Sequence, residues 1–451
     1  MDVPTARGAL PLIGHGADLW FRPTEFIAGM NELGPLVRFR PGLHPSYLVT
    51  DPGLLHHLLV TGARDFVKGR LTDTAGPQLG VSLVMDMHVE GLTPSAAHRR
   101  HRRAIQPAFH PERLAARTAL VARVTRHRLA HWRPGLRLRL EKELLALSNE
   151  VNALVFCGEP AAAVAGPLAG VQRNLVPGLY WRSVAPRWTD SLPVPGTGGF
   201  LRARARLRAA LRAALHERRT DPRRDDGDVL TALARARYAD DGSGLDDEQI
   251  VHELVFYLIA AAHGIGDILP WVFHELAAHP DVERRLHDEL DTVLAGDDVN
   301  AEHLPQLVYT RRVLCEALRL YPPVWLLARR ALEAVELGGV PLPAGTELVF
   351  SAYGMHRHPR HHTDPLRFDP DRWLPERAAL LPRCAYVPFG TGPRKCIGDR
   401  LSMHQMLTVV ATVATHWRLR AVPGSRPHPS ARIFLSPRSI EMICAPRVSR
   451  R

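Results

Sequence analysis

Lysine is nearly missing from this 451-residue chain: of its 58 basic residues only Lys68, Lys142 and Lys395 are lysine, and the rest are arginine. The net charge of +12 is therefore carried by guanidinium groups. The clusters Arg99, Arg100, Arg102, Arg103 and Arg202, Arg204, Arg206, Arg208 fall on amphipathic helical patterns and read as solvated faces. No nucleic-acid-binding motif accompanies them, so nucleic acid is not an expected partner. Cysteine is scarce as well. The five (Cys157, Cys315, Cys384, Cys396, Cys444) are odd in number and lack metal-site spacing, which excludes a disulfide framework and points to a reducing cytoplasm. Long apolar runs are missing too. The longest, Leu254 to Ala262, is far short of the roughly 20 residues a bilayer span needs, and the N-terminus reads as neither signal peptide nor anchor. A soluble protein is expected, with no membrane partner.

Length alone would allow two or three domains, yet no linker, repeat or low-complexity segment divides the chain, and residues 1–451 read as one domain. The Asp/Gly-rich stretch from Asp225 to Gly244 reads as surface turns around a short helical piece. Strand composition marks Leu36 to Arg40 and Ser46 to Thr50 across the turn Pro41-Gly42, and again Val335 to Leu337, Glu347 to Phe350 and Ile433 to Leu435. Apolar residues at helical spacing cover 98–132, 141–156, 199–218, 247–279, 281–294 and 305–320. Asp246 and Gln249 form a capping-box signature at the start of the longest of these. The fold class is mainly α with a minor β-sheet.

The most specific stretch is Phe389 to Gly398, Phe-Gly-Thr-Gly-Pro-Arg-Lys-Cys-Ile-Gly. It presents one thiol on a glycine-rich loop that enters a helix. An isolated Cys is normally a buried small hydrophobe. Here Gly392 and Gly398 permit positive φ and a close approach to a flat macrocycle, while backbone N–H groups and the helix start from Asp399 favour a thiolate. The stretch resembles the haem-ligand loop of the cytochrome P450 family, Phe-x-x-Gly-x-Arg-x-Cys-x-Gly. At average residue usage a chance match in a chain this long has a probability of roughly one in ten thousand. The resemblance implies haem b held by Cys396, with Phe389, Gly392, Arg394 and Gly398 forming its cradle. A Cys axial ligand donates electron density that favours O–O cleavage.

Other segments match the same family. Glu316 and Arg319 share a helix face and resemble the family's Glu-x-x-Arg helix, and Arg372 in Phe368-Asp-Pro-Asp-Arg-Trp373 resembles the Arg that completes that network. Together they imply a buried charged cluster behind the Cys loop. His98 and Arg102, one helical turn apart, with Arg329 and Arg394, match the partners of the haem propionates. The run His356 to His362 invites a metal reading, but the family uses this stretch as a connector. By the same resemblance, substrate contacts fall on Thr72 to Asp86, Val176 to Pro195, the central helix, Val324 to Ala328 and Ile433 to Leu435.

One part of the pattern is broken. Leu254 to Pro280 resembles the helix that crosses the haem, where the family usually carries an acid followed by Thr; here His263 and Gly264 take those places. Gly264 and Gly266 each weaken a helix by about 1 kcal/mol against Ala, and Pro270 cannot donate to the Gly266 carbonyl. A kink is expected, with freed carbonyls able to hold water or a substrate hydroxyl. Proton supply would fall to His263, ordered water or a polar group of the substrate, with Asp267 as the alternative acid.

The expectation is a bacterial haem-thiolate monooxygenase, the Arg-, Ala-, Gly- and Pro-rich composition being that of a high-G+C genome. It would act as a monomer on a hydrophobic terpenoid or polyketide-like intermediate, taking electrons from a ferredoxin and ferredoxin reductase docked on a basic face. Three alternatives stand beside it: an atypical oxidation such as cyclisation, desaturation or coupling; a peroxide-driven mode; and a haem-binding recruitment protein without catalysis.

Overall fold

In the computed structural model, residues 3–42, 44–70, 72, 91–175, 197–221 and 227–447 are described. Helices form the bulk of these residues. The principal sheet is built around Glu347–Phe350, which is buried along its whole length, as a strand covered on both faces must be. It runs parallel to Ser46–Val49 and antiparallel to Leu327–Ala331. The N-terminal strand Leu36–Phe39 pairs with Ser46–Val49 (Leu36 opposite Val49), and Phe66–Lys68 closes the other edge. The expected pair of N-terminal strands is thus present.

The larger core lies among the helices. Leu140–Cys157 packs along Asp247–Gly266, the central helix. The capping box opens that helix as expected: the Gln249 N–H donates to Asp246 Oδ1 at 2.7 Å, and the Asp246 N–H donates to Gln249 Oε1 at 3.0 Å. The helix stops at Gly266 and resumes as Ile268–Ala278, so the predicted break is there, one turn before Pro270. Gly266 also has a packing reason. A Cβ there would meet Leu145 Cα at 3.0 Å and Ser148 Cβ at 3.2 Å, so glycine allows the two helices to touch. Asp247–Ala278 taken together is long and apolar enough to cross a bilayer, yet 78% of that window is buried inside the fold. It is the core helix.

Several sequence expectations shift. The single pattern over 98–132 is two helices, Pro94–Ile105 and Pro111–Leu129, divided by a 3₁₀ turn at Gln106–Phe109. Pro107 and Pro111 lack the N–H a continuous helix would use. Ala161–Leu175 is a helix that the sequence pass did not anticipate, because Pro167 sits inside it. Val164, Leu168, Val171 and Leu175 bury its apolar face, which packs on Thr197–Thr220. The strand expected at Ile433 to Leu435 begins only at Leu435; Arg432 to Phe434 form the turn of a hairpin between His428–Ala431 and Leu435–Arg438. The arginine clusters are not simply solvated. Arg100 pairs with Asp240 and Asp241 at 2.7 Å each and covers the Tyr238 ring, and Arg208 donates to Glu248.

Candidate active site

The Cys loop is shaped by backbone geometry before any side chain matters. Gly390 and Gly392 have φ of +67° and +72°, a region that favours glycine. A Cβ on Gly392 would also overlap the Leu59 carbonyl oxygen. Gly392 is therefore required by the neighbouring chain as well as by its own turn. Gly398 departs from the expectation of positive φ, with φ −94°, and stands as the N-cap of the Asp399–His416 helix. A Cβ there would meet no atom closer than 4.0 Å.

The Cys396 N–H donates to the Phe389 carbonyl at 2.9 Å, and the Lys395 N–H to the Gly392 carbonyl at 3.0 Å, which closes the loop. Cys396 lies deep in the fold yet its side chain is exposed, so it opens onto space that the protein surrounds. Burial pushes its thiol up from the ordinary value, opposed by the Gly398 N–H and by Arg102 and Lys395. A metal would reverse that balance, since coordination displaces the thiol proton.

The central helix carries a half-exposed stripe. Phe256, Ala260 and Gly264 are half-exposed at four-residue intervals on a helix that is otherwise largely buried. A Cβ at Gly264 would meet nothing within 4 Å. Tyr257, beside the stripe, lies within electrostatic reach of both Arg102 and Cys396. An accessible sulfur and an open, apolar helix face fit a flat hydrophobic group held by a thiolate.

The cationic residues expected at the rim are partly gathered. Arg102 donates to the Lys395 carbonyl at 2.6 Å. His98 and Arg394 line one small cavity with Ser95 and Ala63, and Arg394 donates to the Ala63 carbonyl at 3.0 Å. Arg329 lies on the principal sheet, buried, donating to the Ala328 carbonyl at 2.8 Å and facing the Phe350 ring at 5.5 Å. Of the expected substrate segments, residues 73–86 and 176–195 lie outside the described residues.

Behind the loop, Glu316 and Arg319 are fully buried. Glu316 accepts from Arg319 at 2.9 and 2.8 Å, from Arg372 at 3.3 Å, from the Asp369 N–H at 3.0 Å and from Trp373 Nε1 at 3.0 Å. Arg319 and Arg372 also donate to the carbonyls of His356, Pro365 and Thr363. The three residues named from sequence do meet. The His356 to His362 run works with them: His356 Nε2 accepts from the Val387 N–H at 2.8 Å, and His362 Nε2 lies 3.2 Å from the Ala385 carbonyl. Both brace the segment leading to the Cys loop. Sequence reading noticed these histidines but gave them no such role.

The sequence profile of the cytochrome P450 family matches residues 180–444. A cyclooctat-9-en-7-ol 5-monooxygenase of Streptomyces melanosporofaciens is 41% identical over 98% of this chain and 95% of its own. The chain belongs to the cytochrome P450 family. A pentalenene oxygenase of Streptomyces avermitilis is 34% identical over 95% of this chain and 93% of its own. Among solved structures, a retinoic acid-bound cyanobacterial P450 superposes with a TM-score of 0.85 at 22% identity, covering 99% of both chains. The fold is that of a P450 haem domain, and the protein is a P450 monooxygenase with haem held by a cysteine thiolate. It uses a redox partner and a hydrophobic substrate.

Two contacts of the central helix were not expected from the sequence, although Phe434 lies in the expected substrate segment Ile433 to Leu435. The Phe434 ring stacks on His263 with centroids 4.6 Å apart and planes at 12°, and Ser436 donates to Asp267 at 2.7 Å. Their partners are 171 and 169 positions away, and nothing local in the hairpin signals the contact.

Proposed function

We propose that this P450 oxidises a hydrophobic terpenoid intermediate of secondary metabolism in the bacterial cytoplasm, as a monomer served by a ferredoxin and its reductase. Cys396 would ligate the haem iron. Phe389, Gly392 and Gly398 shape its loop, His98, Arg102, Arg329 and Arg394 answer the propionates, and Glu316, Arg319 and Arg372 hold the supporting meander. Bound haem supplies oxygen activation with electrons received one at a time.

What the chain itself does is position, dry and supply protons. Phe256, Ala260 and Gly264 offer an apolar wall with room above the centre, and small-molecule pockets of this kind orient a ligand with few polar groups. The acid and alcohol usual on this helix are replaced by His263 and Gly264. His263, held by Asp267, is the proton-handling side chain of this face, and Gly264 leaves space for water or a polar group of the substrate. The observation that carries the reading is the Cys396 loop within a chain 41% identical, over nearly its full length, to a monooxygenase named for a cyclooctatenol.

The test is comparative mass spectrometry of metabolites from the native strain, a deletion, and the deletion complemented with wild type or Cys396→Ala. An intermediate that accumulates and is consumed only by wild type supports the reading. A product one oxygen heavier means hydroxylation, whereas one lighter by two hydrogens means desaturation or coupling. Rescue by Cys396→Ala would instead favour recruitment without catalysis. A His263→Ala, Gly264→Ala double variant with unchanged coupling of electrons to product would remove His263 from proton supply.

A further inference from the structure

Three helices leave a hollow between them. Leu140–Cys157 packs against both Pro111–Leu129 and Ala161–Leu175, and where they meet lies a cavity of about 420 Å³. That volume falls within the roughly 300–1,000 Å³ of small-molecule sites. Its apolar lining is Val124, Leu154, Ala161, Ala162 and Ala165, none of them part of the Cys loop, the central helix or the C-terminal hairpin. Val124, Ala161 and Ala165 pack on the main core beneath. Alanine reaches no further than Cβ, so the third helix does not fill the space that Val124 and Leu154 border. The charged part of the lining is unevenly satisfied. Glu150, its one acid, is held by Arg128 at 2.5 Å, and Arg126 on the same helix pairs with Asp298. Arg123 also lines the cavity, is exposed, and has neither a hydrogen bond nor an ion pair among the described residues. His127 lies one turn on, on the same helix face, its ring against that of His131. An uncommitted guanidinium thus stands beside an apolar hollow whose only acid is already answered.

We propose that this cavity is a second ligand site, which takes an amphipathic carboxylate of the fatty-acid class with its chain in the hollow and its headgroup on Arg123. The planar guanidinium fork matches a carboxylate through two parallel hydrogen bonds. The five apolar side chains offer nothing to a polar group farther along the ligand, and burying such a group without a partner is unfavourable. An alkyl chain suits them. A neutral alcohol of equal length buries the same apolar area but leaves the charge of Arg123 unanswered, so charge separates the two ligands. Leu154 and Glu150 belong to the helix that packs along the central helix. A ligand seated against them braces that helix, and binding to the folded chain alone raises its stability.

The experiment uses full-length haem-loaded protein saturated with 4-phenylimidazole, which occupies the iron and keeps other ligands from the space above it. Equilibrium dialysis then reads the binding of radiolabelled decanoate, octanoate and decanol. Decanoate is expected to fill a single site without moving the azole's Soret band. Octanoate should bind about 10-fold more weakly, since each buried methylene is worth about fourfold in affinity. Arg123→Gln should weaken decanoate about fivefold, the size of a partly exposed ion pair, and leave decanol unchanged. Ala162→Trp and Ala165→Phe each fill the hollow from its alanine side and should abolish the site. The thiolate band of the reduced carbon monoxide complex in the same preparations shows whether each variant keeps its haem centre, and one filling variant that keeps it suffices. The proposal is overturned if no decanoate binds beside the azole, or if a filled variant with an intact thiolate band still binds it. Equal losses of decanoate and decanol in Arg123→Gln, or no loss of either, also overturn it, because the cavity would then not read charge. None of these outcomes bears on the terpenoid reading, which concerns the ligand above the iron.

Discussion

Arg319 meets Glu316 through two hydrogen bonds of 2.9 and 2.8 Å, three residues apart on one helix and with both side chains fully buried. On a surface such a pair would contribute a few tenths of a kcal/mol. Here both charges have left water, so the pair depends on having every lone pair and proton answered. Glu316 receives Arg372, Trp373 and the Asp369 N–H as well. Replacing Glu316 with Ala leaves two guanidinium groups buried without their carboxylate, a change that costs about 3–5 kcal/mol. The expected outcome is a lowered denaturation midpoint and a protein isolated with little haem, measured by denaturant titration and by haem content per chain.

The glycines of the central helix respond in opposite directions. Gly264→Ala gains about 1 kcal/mol of helix propensity and its methyl meets open space, so the variant should be more stable. Gly266→Ala gains the same propensity but drives its Cβ against Leu145 and Ser148, and overpacking of this kind costs about 1–3 kcal/mol. The clash wins. Thermal melts of the two variants should move in opposite senses about the wild type.

Gly392→Ala fails for a different reason. Its φ of +72° is strained for alanine, and the new Cβ overlaps the Leu59 carbonyl oxygen, a backbone atom that cannot rotate away. The loop must shift, and Cys396 with it. The variant should fold, with a far-ultraviolet spectrum like that of wild type, but show a reduced share of the thiolate band in the carbon monoxide difference spectrum.

How much of this was legible beforehand depends on whether the physics is local. The Cys loop, the capping box at Asp246 and the break near Gly266 declare themselves within a few residues. Glu316 and Arg319 were legible as a helix pair; their link to Arg372, 53 positions on from Arg319, came only through the family resemblance. The contacts of Phe434 and Ser436 with the central helix were not legible, because they join distant segments through a hairpin whose residues look ordinary. The helix at Ala161–Leu175 was hidden by Pro167, whose cost is overridden by burial of Val164, Leu168 and Val171. Gly392 was read as making room for a macrocycle, whereas its closest neighbour is the Leu59 carbonyl.

Acid should loosen the support of the Cys loop before it titrates most carboxylates. His362 is buried against the Ala385 carbonyl, and burial, with Arg319 and Arg372 nearby, lowers its pKa from 6.5 to about 4. Burial does the same to His356, and it takes His287 down to about 3, where Arg447 and Arg418 add to the effect. In the unfolded chain these rings take up protons near pH 6.5, whereas the folded protein holds them neutral. The unfolded state therefore binds more protons as pH falls, and stability falls with it. For His362 the full contribution is present above pH 6.5 and is lost as pH drops to about 4. At 1.36 kcal/mol per tenfold change in proton affinity it amounts to about 3 kcal/mol. Unfolding free energies measured by urea titration at half-unit steps from pH 7.5 to 4.5 should decline steadily. His362→Gln, which retains a donor toward Ala385 without a titrating ring, should start below wild type and decline less steeply. A wild-type curve flat across that window would mean that these histidines are not held neutral in the folded protein.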